Sequence, residues 1–129
     1  VASFVETTPT LRILEASECK IGPLGASAIA GCIAVHKRLT TLNVSNNKLR
    51  EAGATAIATK GLKENSSVSV IDLSGNSINC EGGAAIAGML RQNKTVESLH
   101  IGNNYISESI PQIMLALSQR GVPARVVDL

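Results

Sequence analysis

The amino-acid sequence predicts an α/β solenoid in which short strands and helices alternate, and three observations lead to that prediction. A six-residue apolar pattern recurs along the chain, and its copies start 28 or 29 residues apart. Each copy is followed by apolar residues at helical spacing. A period of this size is typical of folds in which each unit buries its apolar side against its neighbours. We therefore expect one continuous repeat domain over residues 1–129.

The strand half of each unit carries apolar residues at positions one, four and six. The complete copies are Leu11-Arg-Ile-Leu14-Glu-Ala16, Leu39-Thr-Thr-Leu42-Asn-Val44, Val68-Ser-Val-Ile71-Asp-Leu73 and Val96-Glu-Ser-Leu99-His-Ile101. A partial fifth copy starts near Ala124 and ends at Leu129. These apolar positions are expected to point into the core, which leaves positions three, five and seven on the outer face of a sheet.

A polar residue and a further apolar residue follow each strand at fixed distances. Position nine is Cys19, Asn47, Asn76 and Asn104, and position eleven is Ile21, Leu49, Ile78 and Ile106. The combined pattern, L-x-x-L-x-L-x-x-(N/C)-x-L, is the leucine-rich-repeat signature, here in four consecutive copies. We interpret the asparagines as structural, because each can satisfy backbone groups where the chain bends, and we expect a change at Asn76 to loosen the stack.

The second half of each unit predicts a helix with a thin apolar stripe that packs closely on the next helix. The stripes run from Leu24 to Ile29 and Ile33, from Ala52 to Ile57 and Leu62, and from Gly82 to Ile86 and Leu90. A fourth helix is expected from about Ile110 to Gln119, with Pro111 tolerated in its first turn. The Gly82-Gly83 pair is explained by close helix packing, since no phosphate-loop lysine accompanies it.

On these motifs the chain resembles the ribonuclease-inhibitor-like class of leucine-rich repeats. It lacks the alternating long and short units of the inhibitor itself and is more similar to uniform repeats such as those of Ran GTPase-activating proteins, NOD-like receptors, tropomodulin-type actin regulators and protist flagellar or cytoskeletal repeat proteins. The resemblance implies a right-handed arc with parallel strands on its concave face and helices on its convex face. Val1 to Val5 looks like the tail of an earlier helix, so we expect further repeats or another domain to flank this stretch.

The outward strand positions are the predicted partner-binding surface. They form three rows: Ile13, Thr41, Val70, Ser98 and Val126; Glu15, Asn43, Asp72, His100 and Asp128; Ser17, Ser45, Ser74 and Gly102. Of these, the predicted contact residues are Thr41, Asn43, Ser45, Val70, Asp72, Ser74, Ser98, His100 and Asp128. Exposure to water alone would also explain their polarity.

A rival surface lies in the loops between strand and helix. Tyr105 is a candidate anchor there, and it could equally pack under its own loop. The other residues of these loops are Lys48, Arg50, Glu51, Ser77, Asn79 and Glu108.

Composition and motifs argue against several other classes of protein. The net charge is +2 and the basic residues are scattered along the sequence, so we expect no nucleic-acid partner. No apolar run spans a bilayer, so no membrane partner is expected. Cys19, Cys32 and Cys80 form no C-x-x-C pair and are interpreted as buried thiols of a cytoplasmic protein, with the cytoskeleton as one location.

The sequence offers no catalytic, cofactor or metal site. His36 and His100 lack metal-ligand spacing, and His100 between Asp72 and Asp128 reflects repeat geometry rather than acid–base chemistry. The glycosylation patterns at Asn43, Asn65 and Asn93 are discounted.

The motifs and the composition bear on three functions. The first is a non-catalytic scaffold that binds a protein partner within a larger chain or complex. The alternative is a regulatory protein, either a GTPase-activating protein or the ligand-sensing repeats of a NOD-like receptor. An enzyme in its own right lacks the residues it would need.

Overall fold

The computed structural model describes residues 8–122 and 126–128, in which strands and helices alternate. The strands are β1 (Ile13–Glu15), β2 (Thr41–Asn43), β3 (Val70–Asp72), β4 (Ser98–His100) and β5 (Val126–Asp128). The helices are α1 (Gly22–Val35), α2 (Arg50–Thr55), α3 (Cys80–Gln92) and α4 (Ile110–Gln119). Helix α2 continues into a π-helical turn, Ala56–Leu62, and a 3-10 turn, Ser107–Ser109, precedes α4. The segment Val1 to Val5 and the repeat start at Ala124 lie outside the described residues.

The strands form one parallel sheet in the order β1-β2-β3-β4-β5, which confirms the predicted α/β class. Equivalent repeat positions pair without slippage, so that Thr41 lies opposite Val70, and Val70 opposite Ser98. The pairing continues just beyond the strands, where the N–H of Leu73 donates to the carbonyl of His100 at 2.8 Å. Each unit therefore occupies the same height in the sheet as its neighbours.

The helices lie on one side of this sheet and give it curvature. Paired strands are about 4.8 Å apart, whereas packed helices need about 8–10 Å between their axes. A stack with one strand and one helix per unit must therefore bend with its sheet on the inner side. We call the surface of the sheet that faces away from the helices the concave face.

The core lies between the sheet and the helices and consists of the predicted strand positions. Positions four and six are buried in all the complete units, and position one is buried in the second to fourth units. Leu11, at position one of the first unit, is only partly buried and packs against the edge of this core. Fully burying a leucine, isoleucine or valine side chain stabilises the fold by about 1.5–3 kcal/mol. The buried side chains are Leu14, Leu42, Ile71, Leu99, Ala16, Val44, Leu73, Ile101, Leu39, Val68 and Val96.

Small residues let the helices approach one another closely, as predicted. A Cβ atom added to Gly61 would lie 3.2 Å from the Cα of Ala30, and one added to Gly53 would lie 3.2 Å from the Cβ of Ala26. The apolar stripe predicted from Leu24 is wrong at that residue, because Leu24 is 89% exposed. It lies at the start of α1, on the side that no described element covers.

The π-helical turn accommodates the one unit that is a residue longer than the others. Asn47 and Asn76 are 29 residues apart, whereas Asn76 and Asn104 are 28 apart. Ile57 and Ala58 lie at the same repeat positions as Ile86 and Ala87 of the third unit. Leu62, however, lies one position later than the equivalent Leu90. A π turn is an α-helix with one inserted residue. The insertion bulges into solvent at Thr59 and Lys60, which are exposed.

The asparagines at position nine form a continuous hydrogen-bonded ladder, which confirms their predicted structural role. The side-chain oxygen of Asn76 accepts from the N–H groups of Asn47 and Leu49, at 2.8 and 3.4 Å. Its amide donates to the carbonyls of Val44 and Leu73, at 3.1 and 2.9 Å. Asn47 and Asn104 make the corresponding bonds in their own units. Each asparagine thus joins its own turn to the preceding one.

The cysteines are not the buried thiols that were predicted. Cys19 is exposed, and Cys32 and Cys80 are partly exposed. Side chains at position nine point back toward the preceding unit, as the bond from Asn47 to the carbonyl of Ala16 shows. Among the described residues no unit precedes Cys19, so its side chain meets solvent.

A second polar ladder, not predicted as such, joins the turns that lead from each helix into the next strand. Asn65 donates to the carbonyls of Ile33 and His36, at 2.8 and 3.2 Å. Asn93 donates to the carbonyls of Leu62 and Asn65, at 2.7 and 3.2 Å. Asn65 and Asn93 are only 4% and 3% exposed, and their amides are fully engaged. The glycosylation pattern at these two residues therefore reflects the needs of the turn, in agreement with its dismissal.

Candidate functional site

The position-three row lies on the concave face, and its described side chains are neither buried nor hydrogen-bonded within the protein. Thr41, Val70 and Ser98 are partly exposed, and Ile13 is 56% exposed. Among the described residues, no side-chain hydrogen bond engages the hydroxyls of Thr41 or Ser98. Val126 pairs with Ser98 in the backbone register, but its side chain lies outside the described residues. This row is the part of the predicted surface that is available for an external contact.

The position-five row is largely occupied by bonds within the protein. The Oδ1 atom of Asn43 accepts from the N–H and hydroxyl of Ser45, at 3.0 and 2.8 Å. Asp72 accepts from Ser74 in the same way, at 3.0 and 2.5 Å. Asn43 also donates to the carboxylate of Glu15 at 2.8 Å. Short polar side chains that bond the backbone two residues on stabilise tight turns, so Asn43 and Asp72 fold the chain away from the strand.

The position-seven row is less accessible than predicted. Ser45 is only 6% exposed, so the prediction that it is accessible on the concave face is wrong. Ser74 and Gly102 are partly exposed. Ser17 is exposed in the first unit.

On the concave face, the side chains of His100 and Asp128 lie within ion-pair distance of each other. The Nδ1 atom of His100 is 3.9 Å from a carboxylate oxygen of Asp128, and their side chains are 34% and 64% exposed. Asp72 lies opposite His100 on the other side, in the sheet register. The three residues are brought together by repeat geometry, as predicted. Among the described residues, no cluster of histidine, cysteine, aspartate or glutamate could hold a metal ion.

The loops between strand and helix, which we call the ascending edge, present the aromatic anchor. Tyr105 is 72% exposed, so the alternative that it packs under its own loop is wrong. Its backbone is fixed, because its N–H donates to the carbonyl of Ile78 at 2.7 Å. The other predicted loop residues Lys48, Arg50, Ser77 and Glu108 are exposed as well. Asn79 has a structural task, because its side chain caps α3 through the N–H groups of Glu81 and Gly82.

Left-handed backbone conformations shape this edge. Such conformations cost residues other than glycine about 1–2 kcal/mol each. Arg50 has a φ of 59°, and the equivalent Gly22 in the first unit has a φ of 67°. Both N–H groups donate to the position-nine carbonyl of the next unit, at 2.9 and 3.0 Å. The edge is therefore a rigid surface held by bonds between units.

Comparison with known proteins supports this description of the repeats. A family model described as leucine-rich repeat matches residues 8–30, 37–58 and 64–87. RAN GTPase-activating protein 2 of Arabidopsis thaliana is 33% identical over 108 residues, which are 84% of this chain and 20% of that protein. The chain thus spans about a fifth of the length of this relative.

Two solved structures share the fold at low sequence identity. Leiomodin-1 actin-binding site 2 matches with a TM-score of 0.84 and 19% identity, over 98% of this chain and 75% of that one. The tropomodulin C-terminal domain of Caenorhabditis elegans matches with a TM-score of 0.81 and 11% identity, over 99% and 82%.

No helix among the described residues has the length and apolar character required to cross a membrane. The signature repeats, the parallel sheet with one helix per unit and the match of the family model over more than half of the chain agree with one another. The chain belongs to the leucine-rich-repeat family, in its ribonuclease-inhibitor-like class.

Proposed function

We propose that this chain is a non-catalytic protein-interaction domain that holds a protein partner on its concave face, within a larger protein or assembly. The observation that carries the proposal is the position-three row, where Thr41, Val70 and Ser98 face outward on adjacent strands without internal bonds. His100 and the carboxylate of Asp128 extend the same surface with polar groups. The setting we propose is cytoplasmic, with the cytoskeleton as one location.

The rigidity of the face favours this function. In strands β1 to β4 the middle residue is fixed in the core, and the asparagine ladder holds successive units in register. A partner that binds such a surface does not have to order it, so less binding free energy is lost to conformational entropy. A small, partly apolar row flanked by polar side chains matches the composition of protein interfaces.

The loop residue Tyr105 offers a second contact on the same side of the molecule. Tyrosine is enriched among residues that dominate binding energy, since its ring is large and has few rotatable bonds. At 72% exposure this ring has most of its surface available to a partner. We therefore include Tyr105 in the proposed binding surface as an anchor beside the strands.

A regulatory role toward a small GTPase is the second candidate function. It is favoured by the 33% identity to RAN GTPase-activating protein 2 over 84% of this chain. Since the matched stretch is 20% of that protein, the shared residues indicate binding capacity more directly than activation. Actin is a further candidate partner, because the leiomodin-1 neighbour is described as an actin-binding site.

Direct binding to purified actin and to a Ran-type GTPase tests the proposal, with two variants that add the same charge. The first places Thr41→Arg, Val70→Arg and Ser98→Arg on the concave face. The control places Ala52→Arg, Thr59→Arg and Ala84→Arg on exposed helical positions. Asn43 and Asp72 are left unchanged, because their side chains hold the turns.

We expect the concave variant to bind at least about tenfold more weakly and the control to bind as the parent does. Equal binding by the concave variant and the control would show that the concave face is not the binding site. A third variant, Tyr105→Ala, tests the ascending edge, and a loss of binding confined to it would assign the site there. An increase in the rate of GTP hydrolysis by the GTPase would favour the regulatory candidate.

A further inference from the structure

The basic residues, scattered in the sequence, gather in space along one edge of the molecule. We call this the descending edge: the ends of the helices and the turns that lead into the next strand, residues 8–12, 35–40, 63–69 and 91–97. Its exposed basic residues are Arg12, Lys37, Arg38, Lys63, Arg91 and Lys94, and its exposed acidic residues are Glu64 and Glu97.

The rest of the described surface has the opposite balance. It carries the basic residues Lys20, Lys48, Arg50 and Lys60, and the acidic residues Glu15, Glu18, Glu51, Asp72, Glu81, Glu108 and Asp128. The small net charge of the chain therefore conceals a separation of charge across the molecule. A partner that approaches the descending edge meets a positive surface.

The second polar ladder aligns these basic residues into a row. Asn65 is bonded to the carbonyl of His36, and Asn93 to the carbonyl of Asn65, at 3.2 Å in each case. Residues at the same offset from these ladder positions must therefore lie in neighbouring turns. Lys63 and Arg91 share one offset, which places their side chains side by side along the edge.

Stabilisation of the fold accounts for only part of this row. Lys94 donates to the carbonyls of Arg91 and Arg120, and Arg91 lies in the last turn of α3, where positive charge is favourable. In the described part of the chain, however, the side chains of Arg12, Lys37, Arg38 and Lys63 make no hydrogen bond or ion pair. Several of the charges are thus available to a ligand.

We propose that the descending edge is a docking site for an acidic segment of a partner protein. The exposed apolar side chain of Val35, 71% accessible, lies beside Lys37 and Arg38 and would contact an apolar residue within such a segment. This surface is separate from the concave face, so the proposal goes beyond the function proposed above.

Other polyanions fit this edge less well. Single-stranded nucleic acid is held by stacking of bases on aromatic side chains, and the edge has no aromatic residue. Glu64 and Glu97 interrupt the row, which a continuous phosphate backbone would meet with repulsion. An anionic membrane would be expected to take up several apolar side chains together, whereas Val35 is the one large exposed hydrophobic residue described on this edge.

Fluorescence anisotropy with a labelled peptide of glutamates interspersed with leucine tests the proposal on the whole chain. The test variant carries Lys37→Gln, Arg38→Gln and Lys63→Gln. The control variant carries Lys20→Gln, Lys48→Gln and Arg50→Gln on the ascending edge, so both lose the same charge. All six side chains are exposed, and circular dichroism checks that both variants remain folded.

We expect the test variant to bind the peptide about tenfold more weakly and the control less than about twofold more weakly, since each exposed charge pair contributes a small amount and the test variant loses three of them. Equal losses in both variants would overturn the proposal, because net charge alone would then explain binding. No binding by the parent chain would overturn it as well. Tighter binding of a labelled single-stranded oligonucleotide, lost in the test variant, would assign the edge to nucleic acid instead.

Discussion

The side-chain oxygen of Asn76 accepts a hydrogen bond from the backbone N–H of Asn47 at 2.8 Å, across the full length of a repeat. The same oxygen accepts from the N–H of Leu49, and the amide nitrogen of Asn76 donates to carbonyls in its own turn and the preceding one. Asn76 is completely buried, so none of these groups can turn to water instead. The asparagine therefore determines how one unit is stacked on the next.

Replacing this residue should be among the most damaging single changes in the chain. Asn76→Ala leaves several buried N–H and carbonyl groups unpaired, each costing about 1–3 kcal/mol if it is not rescued by water. We expect the free energy of unfolding to fall by about 3 kcal/mol in urea denaturation. Gln92→Ala, at an exposed helical position, is the control and should change it by less than about 0.5 kcal/mol. Equal stability of the two variants would contradict a structural role for the ladder.

Two glycines in the same helix should respond to alanine with opposite signs. A Cβ atom at Gly83 would lie 2.0 Å from the hydroxyl of Ser109, whereas a Cβ atom at Gly88 would meet nothing within 4 Å. Gly83→Ala forces α3 away from the turn before α4 and should destabilise the chain by about 1–3 kcal/mol. Gly88→Ala removes backbone entropy from the unfolded chain and should stabilise it by about 0.5–1 kcal/mol. Thermal unfolding of both variants is the measurement, and a shift of the same sign in both would show that α3 does not pack as described.

The repeat frame made the core, the strands and the asparagine ladder predictable from the sequence. Apolar residues at positions four and six define the buried side of strands β1 to β4, and a constant spacing to Asn47, Asn76 and Asn104 defines the ladder. These features recur from unit to unit, so the pattern itself carries the information. Helix α4 was likewise predicted, because its apolar spacing outweighs the presence of Pro111.

Features that depend on a single unit were not predicted. Cys19 occupies a position that is buried in the second and third units, yet it is exposed because no described unit lies beside it. Leu24 was assigned to the stripe because it is apolar, but the equivalent Ala52 and Glu81 are exposed too, so this first-turn position faces away from the core. Ser45 is buried whereas the equivalent Ser74 is partly exposed, although both hydroxyls bond the residue two positions earlier. The basic edge was missed because residues far apart in the sequence become neighbours only through the stacking of turns.

Arg120 occupies the last rung of the second ladder at an energetic cost. Its Nη2 atom donates to the carbonyls of Asn93 and Val96, at 2.9 and 2.8 Å, while Nε and Nη1 are buried without a partner among the described residues. Burial lowers the pKa of this guanidinium, because desolvation penalises the charged form. A lowered pKa means that the unfolded chain binds the proton more tightly, so this residue contributes more stability only as the pH rises into the strongly alkaline range.

An apolar side chain of similar length should therefore replace Arg120 with little loss. Arg120→Met takes a donor from the carbonyls of Asn93 and Val96, but it also removes a desolvated charge with two unpaired donors and keeps the volume. We expect these effects to offset and the free energy of unfolding to change by less than about 1 kcal/mol. Arg120→Ala adds a cavity and should cost about 2–4 kcal/mol. Urea denaturation of both variants distinguishes the two effects. A loss with Met as large as that with Ala would show that the guanidinium bonds, and not the packing, maintain this turn.

The π-helical turn predicts that one residue can be deleted from a helix without damage. In the first and third units, Ala30 and Ala87 are followed by Ile33 and Leu90 at α-helical spacing, whereas one additional residue separates Ala58 from Leu62. Deleting the exposed Thr59 restores the common spacing and converts the π turn to an α turn, so Leu62 remains in the core.

We expect the Thr59 deletion to leave the free energy of unfolding within about 1 kcal/mol of the parent, since the backbone bonds re-form in the α turn and the side-chain bond described for Thr59 is one from its hydroxyl to the carbonyl of Thr55. Deleting Gly88 from α3 is the matched control. It leaves one residue too few before Leu90, rotates that fully buried side chain by about 100° around the helix and should cost about 3 kcal/mol or more. Urea denaturation measures both, and comparable losses would show that the additional residue of the second unit is required for its packing rather than accommodated by it.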